Sequence, residues 1–216
     1  MSWVPVVFCL WIGLIVWSFF FWESAFLFAV LGLCVWSLFL LVNVMCRRYT
    51  VSFVIFVLSE TLFFFTAVYV VLVAEREFFI RLSDWAGYPL MGSFLLLGSS
   101  VTAAMYHSGL GRKYDLGMFR IYGYLKYTIV LGCCFVLVQL REFYVCFYDC
   151  TFDAFYTACF FLVGLHFLHV LVGLLGLCVL WRYGHILDFY HINVIIWYWH
   201  FVDYMWLVVY GVVYLT

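Results

Sequence analysis

The stretch INVIIWYWHFVDYMWLVVYGVVYL, residues 192–215, decides the fold class of this chain. It is a predominantly apolar run, long enough to cross ~30 Å of hydrocarbon as an α-helix. It nevertheless contains His200 and Asp203, and one Asp at a bilayer centre costs on the order of 2.5–3.5 kcal/mol on insertion scales. We therefore interpret the stretch as a transmembrane helix whose polar residues have found partners.

About six further apolar runs of similar length precede this one. The chain is 69% hydrophobic, 25% aromatic and 10% charged, with a mean hydropathy of +1.17, far outside the range of soluble domains. Lipid requires every backbone amide to be bonded within its own segment, and the runs are too long for barrel strands. We predict an all-α polytopic membrane protein, one domain over residues 1–216, with seven helices near residues 3–22, 25–45, 51–74, 89–107, 121–143, 153–181 and 192–215.

The distribution of Lys and Arg predicts the orientation of the bundle. Basic residues concentrate in the loops after the second, fourth and sixth spans, whereas the loops on the opposite side carry most of the acidic residues. The basic side should face the compartment of synthesis, with the N-terminus inside and the C-terminus outside. We expect the first span to be a retained helix rather than a signal peptide, because no small-residue cleavage pattern follows Trp22.

The amino-acid usage points to an organellar gene. Phe, Tyr, Trp and Cys number 26, 17, 10 and 9, against only two Pro, which fits T- and G-rich codons. Such strand bias is common in small organellar genomes, so a mitochondrial gene is our hypothesis, and an unbiased or nuclear coding sequence would overturn it. The cysteines form no CxxC pair, so we expect small apolar packing residues, with a Cys146–Cys150 disulfide as the minor alternative.

Glu60 is the most isolated charge and lies near the middle of the third span. Positions three and four apart share a helix face, so Glu60 lies with Phe56, Val57, Phe63 and Phe64. That apolar surrounding disfavours the ionised form, and we expect a carboxyl largely protonated at neutral pH. We favour a functional or lipid-linked role, because an intramembrane carboxyl is a functional hypothesis by default. A structural hydrogen bond to a neighbouring helix is the alternative.

His166 and His169 share a stripe of the sixth span with Gly173 and Gly176. The glycines let another helix approach closely, and the imidazoles can then bond across that contact. The HxxH spacing also resembles half of a metal site, but no further ligands stand at metal-site spacing. We favour structural histidines and expect no metal in this chain.

His200 and Asp203 lie three residues apart and can hydrogen-bond along one face of the last span. A buried polar pair is the simpler interpretation, and a proton path would need a connected chain of polar groups to both surfaces. Glu142 is a further candidate for a buried polar residue with a structural or proton-linked role. Because it follows Arg141 at the end of the fifth span, near the interface, we expect a solvated or lipid-facing pair there. None of these residues is expected to be catalytic. The fourth span carries residues small enough for close helix contact: Gly98, Ser99, Ser100 and Thr102.

Five blocks together resemble subunit III of mitochondrial cytochrome c oxidase, and they occur in that family's order. They are SETLFFF (Ser59–Phe65), MYHSG (Met105–Gly109), LVQLREF (Leu137–Phe143), GLHFLHVLVG (Gly164–Gly173) and WYWHFVDYMWLVVY (Trp197–Tyr210). The resemblance extends from about residue 51 to the C-terminus, and the first two spans match only as apolar helices. The family also has seven spans and an N-terminus in the matrix, in agreement with the loop charges.

The resemblance implies a non-redox core subunit of respiratory complex IV. Haem a, haem a3 and copper are then expected in partner subunits I and II, and none in this chain. Members of the family stabilise the catalytic subunit and support its proton uptake during electron transfer from cytochrome c to oxygen. They also hold phospholipids in a cleft between helices 1–2 and the other five. The implied location is the mitochondrial inner membrane, with the N-terminus in the matrix and the C-terminus in the intermembrane space.

The resemblance also assigns residues. Glu60 matches the family's carbodiimide-reactive glutamate, which agrees with the protonated carboxyl expected from its phenylalanine neighbours. We also count Glu60 among the candidate lipid-binding residues. Arg182 and His185 align with lipid-headgroup contacts, and Arg47 and Arg48 are further candidates because headgroup phosphates suit interfacial Arg. The buried polar residues His166, His169, His200 and Asp203 carry over with their motifs.

The chain departs from the family pattern at three places. The loop after the second span is shortened to CRRYT, the usual paired histidines become Tyr106 and His107, and Asn193 replaces a glutamate. Two other functions share some of these features. Subunit III of a quinol oxidase would have the same fold with different partner chains, and a proton-coupled transporter would use the same buried groups but should show broken helices or an internal repeat.

Overall fold

A computed structural model describes residues 50–74, 84–111, 118–146 and 153–215. Within these ranges the chain is helical and contains no strand. The helices are α1 (Thr50–Val73), α2 (Tyr88–Gly111), α3 (Met118–Val145), α4 (Ala154–Tyr183) and α5 (Phe189–Tyr210), and a π-helical segment (Gly211–Leu215) extends α5. The first two predicted spans lie outside the described residues. The count of seven and the separation of helices 1–2 from the others therefore stay predictions.

All five described helices are long and apolar enough to cross a membrane. They correspond to the third to seventh predicted spans, so the all-α class is confirmed for this part of the chain. Four of them extend beyond the predicted runs by two residues or more at one or both ends; for example, α2 continues to Gly111 and α5 already begins at Phe189. An apolar run measures hydrocarbon thickness, whereas a helix persists into the interface, where polar side chains are tolerated.

The core is built around two tryptophans of α5, Trp199 and Trp206, which are 0% and 1% exposed. Glycines on neighbouring helices leave room for the Trp199 indole. A Cβ atom on Gly132 of α3 would lie 2.9 Å from the indole, and one on Gly173 of α4 would lie 2.8 Å from it. The small residues therefore fix how closely α3 and α4 approach α5.

The five helices differ in how much of their surface the described part of the chain covers. In the most apolar 18-residue stretch of α5 and its π-helical extension, 44% of the residues are buried. In the corresponding stretch of α1 the share is 22%. α5 contacts α2 and α4 and is central to the bundle, whereas α1 lies at its edge. The other described helices therefore cover only a minor part of the α1 surface.

Candidate functional site

Glu60 of α1 and His169 of α4 contact each other within the membrane-spanning region. Glu60 Oε2 lies 3.0 Å from His169 Nε2, and the two side chains are 25% and 13% exposed. His169 Nδ1 lies 2.8 Å from the Leu165 carbonyl oxygen, and because a carbonyl only accepts, Nδ1 donates there. The contact with Glu60 therefore holds one proton. It joins either a neutral carboxyl to Nε2 or an imidazolium to a carboxylate.

The surroundings of Glu60 are less uniformly buried than the sequence predicts. Phe64 is 0% exposed and its ring lies 5.0 Å from the His169 ring. Phe56 and Phe63 are 45% and 48% exposed, so they cover the carboxyl only in part. Glu60 thus makes the hydrogen bond to a neighbouring helix that the sequence analysis gave as the alternative interpretation. The protonation of the carboxyl stays a prediction.

His166 and His169 lie on one helix but contact different neighbours. His166 is fully buried, and its Nε2 donates to the Val202 carbonyl oxygen of α5 at 3.2 Å. Its ring lies 4.9 Å from the Trp206 ring. The two histidines thus connect α4 to α5 and to α1. Within the described ranges, no three His, Cys, Asp or Glu side chains come together as metal ligands would.

Four hydrogen bonds between side chains join α2 to α5, and we call them the α2–α5 ladder. The helices run antiparallel, so the contacts pair the start of one helix with the end of the other. The ladder consists of Ser93–Trp206 (3.0 Å), Ser99–Trp199 (3.1 Å), Ser100–His200 (2.8 Å) and His107–Asn193 (2.7 Å). Because the indole N–H can only donate, both tryptophans donate to serine Oγ.

His200 and Asp203 do not bond to each other, which corrects the predicted pair along one face. His200 turns to the Ser100 hydroxyl on α2, whereas Asp203 faces the interior and is 4% exposed. Ser100 is the polar group beside the Asp203 carboxyl. Neither carboxyl oxygen reaches hydrogen-bonding geometry with a described residue. Residues three apart point about 60° away from each other on a helix, which separates the two side chains.

Glu142 is buried, which corrects the expectation of a solvated or lipid-facing pair with Arg141. It is 5% exposed, and Gln139 Nε2 donates to its Oε2 at 2.9 Å. Arg141 instead lies over the exposed Tyr144 ring at 5.6 Å. Adjacent residues on a helix point about 100° apart, so one faces the core and the other does not. The π-helical segment brings Tyr214 beside the buried pair.

The residues assigned to lipid headgroups lie at one end of α4. Arg182 and His185 are exposed, and the Arg182 guanidinium lies 5.6 Å from the Tyr183 ring centroid. Their role as lipid-headgroup contacts stays a prediction. Arg47 and Arg48 lie outside the described residues.

The family model for "Cytochrome c oxidase subunit III" matches residues 40–216 of this chain. The chain belongs to this family. It is 31% identical to a cytochrome c oxidase subunit 3 from Neurospora crassa over 184 residues, which cover 78% of this chain and 67% of the relative. Identity to the proteins of that name from Scyliorhinus canicula and Emericella nidulans is 34% and 37%, over 58% of this chain. The chain spans about half the length of these two relatives.

One departure from the subunit III pattern lies within the α2–α5 ladder. Asn193, which the resemblance to subunit III sets against a glutamate, accepts a hydrogen bond from His107 Nε2 through its Oδ1 atom. The amide therefore keeps the acceptor that a carboxylate would offer. Tyr106, the other departure, is 1% exposed and its ring packs 6.4 Å from that of Tyr122.

The hydrogen bonds of Ser93 and Ser99 to tryptophans were not predicted from the sequence. Ser99 was singled out only for its small size. A signal was available, because buried indole N–H groups need acceptors and Trp199 and Trp206 are two turns apart on α5. Ser93 and Ser99 have nearly the same separation on α2. Matching donors to acceptors across helices would have identified both contacts.

Proposed function

We propose that this chain is a non-redox core subunit of mitochondrial cytochrome c oxidase. In this role it supports the assembly, stability and proton uptake of the catalytic subunit during electron transfer from cytochrome c to oxygen. The family match over residues 40–216 carries the proposal. Haem a, haem a3 and copper would belong to partner subunits I and II. The work of this chain would be to present a fixed helical surface to them in the inner membrane.

The α2–α5 ladder supports the structural part of this role. Hydrogen bonds between side chains in a membrane are worth about 0.6–2 kcal/mol each, and four of them hold one helix pair in a single register. The buried Trp199 further locks α5 against α3 and α4. A partner subunit would therefore meet a surface that does not need to rearrange on binding.

The Glu60–His169 contact supports a link to proton uptake. It lies within the membrane, is partly accessible and holds one proton between a carboxyl and an imidazole. A group of this kind can buffer or orient a proton without binding a metal. We propose that it supports the proton uptake of the catalytic subunit, with the N-terminus of this chain in the matrix and its C-terminus in the intermembrane space.

Affinity purification of the chain in mild detergent, followed by absorption spectroscopy, tests the proposal. We expect subunits I and II and the haem a absorption bands to copurify, with oxygen consumption driven by reduced cytochrome c. Activity with a quinol but not with cytochrome c would indicate the quinol-oxidising relative instead. Absence of haem a and of both subunits would overturn the proposal.

Glu60→Gln in the purified complex tests the supporting role. We expect fewer protons taken up per electron, or a shorter active lifetime during repeated turnover, because the amide cannot hold the shared proton. Asp84→Asn is the matched control, since Asp84 is an exposed carboxyl outside the spans. If the Glu60 variant matches the control in lifetime and in proton uptake, Glu60 has only a structural role.

We further propose that Arg182 and His185 bind a phospholipid headgroup. Arg47 and Arg48, which lie outside the described residues, are proposed as separate headgroup contacts. Native mass spectrometry of the complex should show fewer retained phospholipids in Arg182→Gln. Arg141→Gln is the control, because Arg141 is also exposed and also lies over an aromatic ring. Equal lipid retention in both variants would exclude Arg182 as a headgroup contact.

A further inference from the structure

Lys126 of α3 carries a positive charge inside a membrane-spanning helix. The apolar span of α3 begins at Ile121, so Lys126 lies five residues, or about 7–8 Å, beyond its start. The side chain is exposed on the outside of the described helices. A lysine this close to a helix end can extend its ammonium group to the membrane surface while its stem stays in hydrocarbon. The charge nevertheless needs neighbours that stabilise or neutralise it.

The indole ring of Trp181 on α4 stabilises the Lys126 ammonium. Lys126 Nζ lies 5.7 Å from the ring centroid, which is within the range of a cation–π interaction. Trp181 is 47% exposed and lies two residues before α4 ends at Tyr183, a place where tryptophans mark the boundary between membrane and water. The contact joins two neighbouring helices. It therefore holds the ammonium group at the surface end of α4.

The described part of the chain supplies no carboxylate for this cation. The ion pair that these residues do contain is Glu60–His169, which joins α1 to α4. Asp188, an exposed acidic residue beyond the end of α4, forms no ion pair with Lys126 within the described ranges. An aromatic ring stabilises a cation without cancelling its charge. The charge of Lys126 is thus available to an anion.

A second cation follows Trp181 directly in the sequence. Arg182 is exposed, and its guanidinium lies 5.6 Å from the Tyr183 ring centroid. Two cations, each beside an aromatic ring, therefore lie at the same end of α3 and α4, at the level where lipid phosphates are found. A zwitterionic headgroup would bring its own ammonium group beside these cations and be repelled. A headgroup of net negative charge would not.

We propose that Lys126, held by Trp181, and Arg182 bind one phospholipid of net negative charge. We call the three residues the α3–α4 lipid site. The inference rests on the headgroup contact proposed above for Arg182. It adds a second helix, two residues and the charge class of the lipid. The site should prefer phosphatidylglycerol to phosphatidylcholine, which has the same phosphate but a cationic group beyond it.

Photoactivatable lipids test this preference at the site itself. The purified complex is placed in nanodiscs with photoactivatable phosphatidylglycerol or phosphatidylcholine, and mass spectrometry counts the cross-links to residues 181–187. In the wild-type complex we expect more cross-links from phosphatidylglycerol. Lys126→Met removes the charge and keeps a long apolar side chain, so the ratio of the two lipids should fall about fivefold, the effect of one cation near an anionic surface.

Arg141→Gln is the matched control for Lys126→Met. Arg141 is also exposed and also lies over an aromatic ring, but it is near the other end of α3. Its loss should leave the lipid ratio at residues 181–187 unchanged. Equal ratios in Lys126→Met and Arg141→Gln would overturn the proposal.

Trp181→Leu tests the positioning role of the indole. The charge of Lys126 remains in this variant, and we expect the lipid ratio to fall by about twofold to threefold, because the ammonium group is no longer held beside Arg182. Trp181→Phe keeps a ring and should restore most of the preference. If the leucine and phenylalanine variants give the same ratio, the ring does not position Lys126.

Arg182→Gln separates this inference from the proposal on which it rests. A loss of preference in Arg182→Gln but not in Lys126→Met would overturn the α3–α4 lipid site and leave the headgroup contact of Arg182 intact. Equal cross-linking by both lipids in the wild-type complex would overturn the charge preference. Failure of the subunit role looks different, because subunits I and II would then be missing from the wild-type preparation.

Discussion

The α2–α5 and α1–α4 interfaces join their helices in different ways. Four contacts made of hydroxyl, indole, imidazole and amide groups connect α2 to α5 along their length. Between α1 and α4 the described polar side-chain contact is a single pair of titratable groups, Glu60 and His169, with aromatic edges such as Phe63–Phe161 beside it. The first interface distributes its polar contacts, and the second concentrates them at one point.

This difference indicates a division of labour within the bundle. An interface with several contacts keeps its geometry when one is lost, and two of these four, Ser93–Trp206 and Ser99–Trp199, contain no titratable group. An interface with one shared proton depends on that single hydrogen bond. Its helix α1 is also more exposed than α5. We expect the packing of α5 to be most sensitive to changes in side-chain volume. The contact of α1 with α4 should be most sensitive to the loss of a hydrogen-bonding group. The four variants below test this contrast, from the largest expected effect to the smallest.

Trp199→Ala should have the largest effect, because it removes the side chain around which α5, α3 and α4 close. We expect the free energy of unfolding to fall by about 3–5 kcal/mol, as for other buried Trp or Phe truncations. Thermal unfolding of the purified protein in detergent measures this loss. Trp181→Ala is the control, because Trp181 is 47% exposed and should lose far less. Similar losses in both variants would contradict a core centred on Trp199.

Gly173→Leu should be next, since the new side chain would overlap the Trp199 indole. Its Cβ alone would lie 2.8 Å from the ring, and overpacking of this kind costs about 1–3 kcal/mol. Gly164→Leu lies on the same helix, where a Cβ meets nothing within 4 Å. The same unfolding measurement should therefore show little change for Gly164→Leu. A loss there as large as that at Gly173 would show that α4 tolerates no added volume at all.

Ser99→Ala removes one contact of the α2–α5 ladder and leaves the buried Trp199 N–H without its acceptor. We expect a loss of about 1 kcal/mol, with the helix pair otherwise intact. Ser108→Ala is the control, because the exposed Ser108 hydroxyl bonds only to Met105 of its own helix, at 3.1 Å. If Ser99→Ala unfolds the protein, the ladder does not distribute its contacts and the comparison with α1–α4 fails.

Glu60→Gln should have the smallest effect on stability. The amide can donate to His169 Nε2 and so replace a neutral carboxyl, which limits the expected loss to less than about 0.5 kcal/mol. Glu60→Leu, which has no donor, should lose about 1 kcal/mol. An equal and large loss in both variants would mean that α1 is held by a charged pair rather than by a hydrogen bond. Denaturation monitored in parallel for both variants separates these cases.

The features that sequence predicts well here are those fixed by local composition. Five of the helices follow from apolar run length, because nothing else can span hydrocarbon with this sequence. The family follows from short motifs such as GLHFLHV, which do not require knowledge of the fold. The direction in which a side chain points is harder to predict, as Glu142 shows. Its neighbour Arg141 is exposed while Glu142 itself is buried, and only the packing of α3 decides which faces inward.

Partners across helices were the least predictable part of the site. Glu60 and His169 were each recognised as buried polar residues, but they are 109 positions apart in sequence and nothing local pairs them. His200 and Asp203 looked like a pair because they are three residues apart. In the structure His200 bonds to Ser100 of α2 and not to Asp203. Depth in the membrane, which sequence does predict, narrows the choice of partner. The rotation of each helix about its axis settles it, and that depends on the whole bundle.

The His107–Asn193 contact shows what the pairing of α2 and α5 requires at this end of the bundle. Asn193 accepts the imidazole hydrogen through a neutral amide oxygen. A glutamate at this position, which the resemblance to subunit III implies for other members, could accept the same hydrogen and would add a negative charge. The contact therefore needs an acceptor but not a charge. The electrostatic character of this end can change while the helix pairing stays the same.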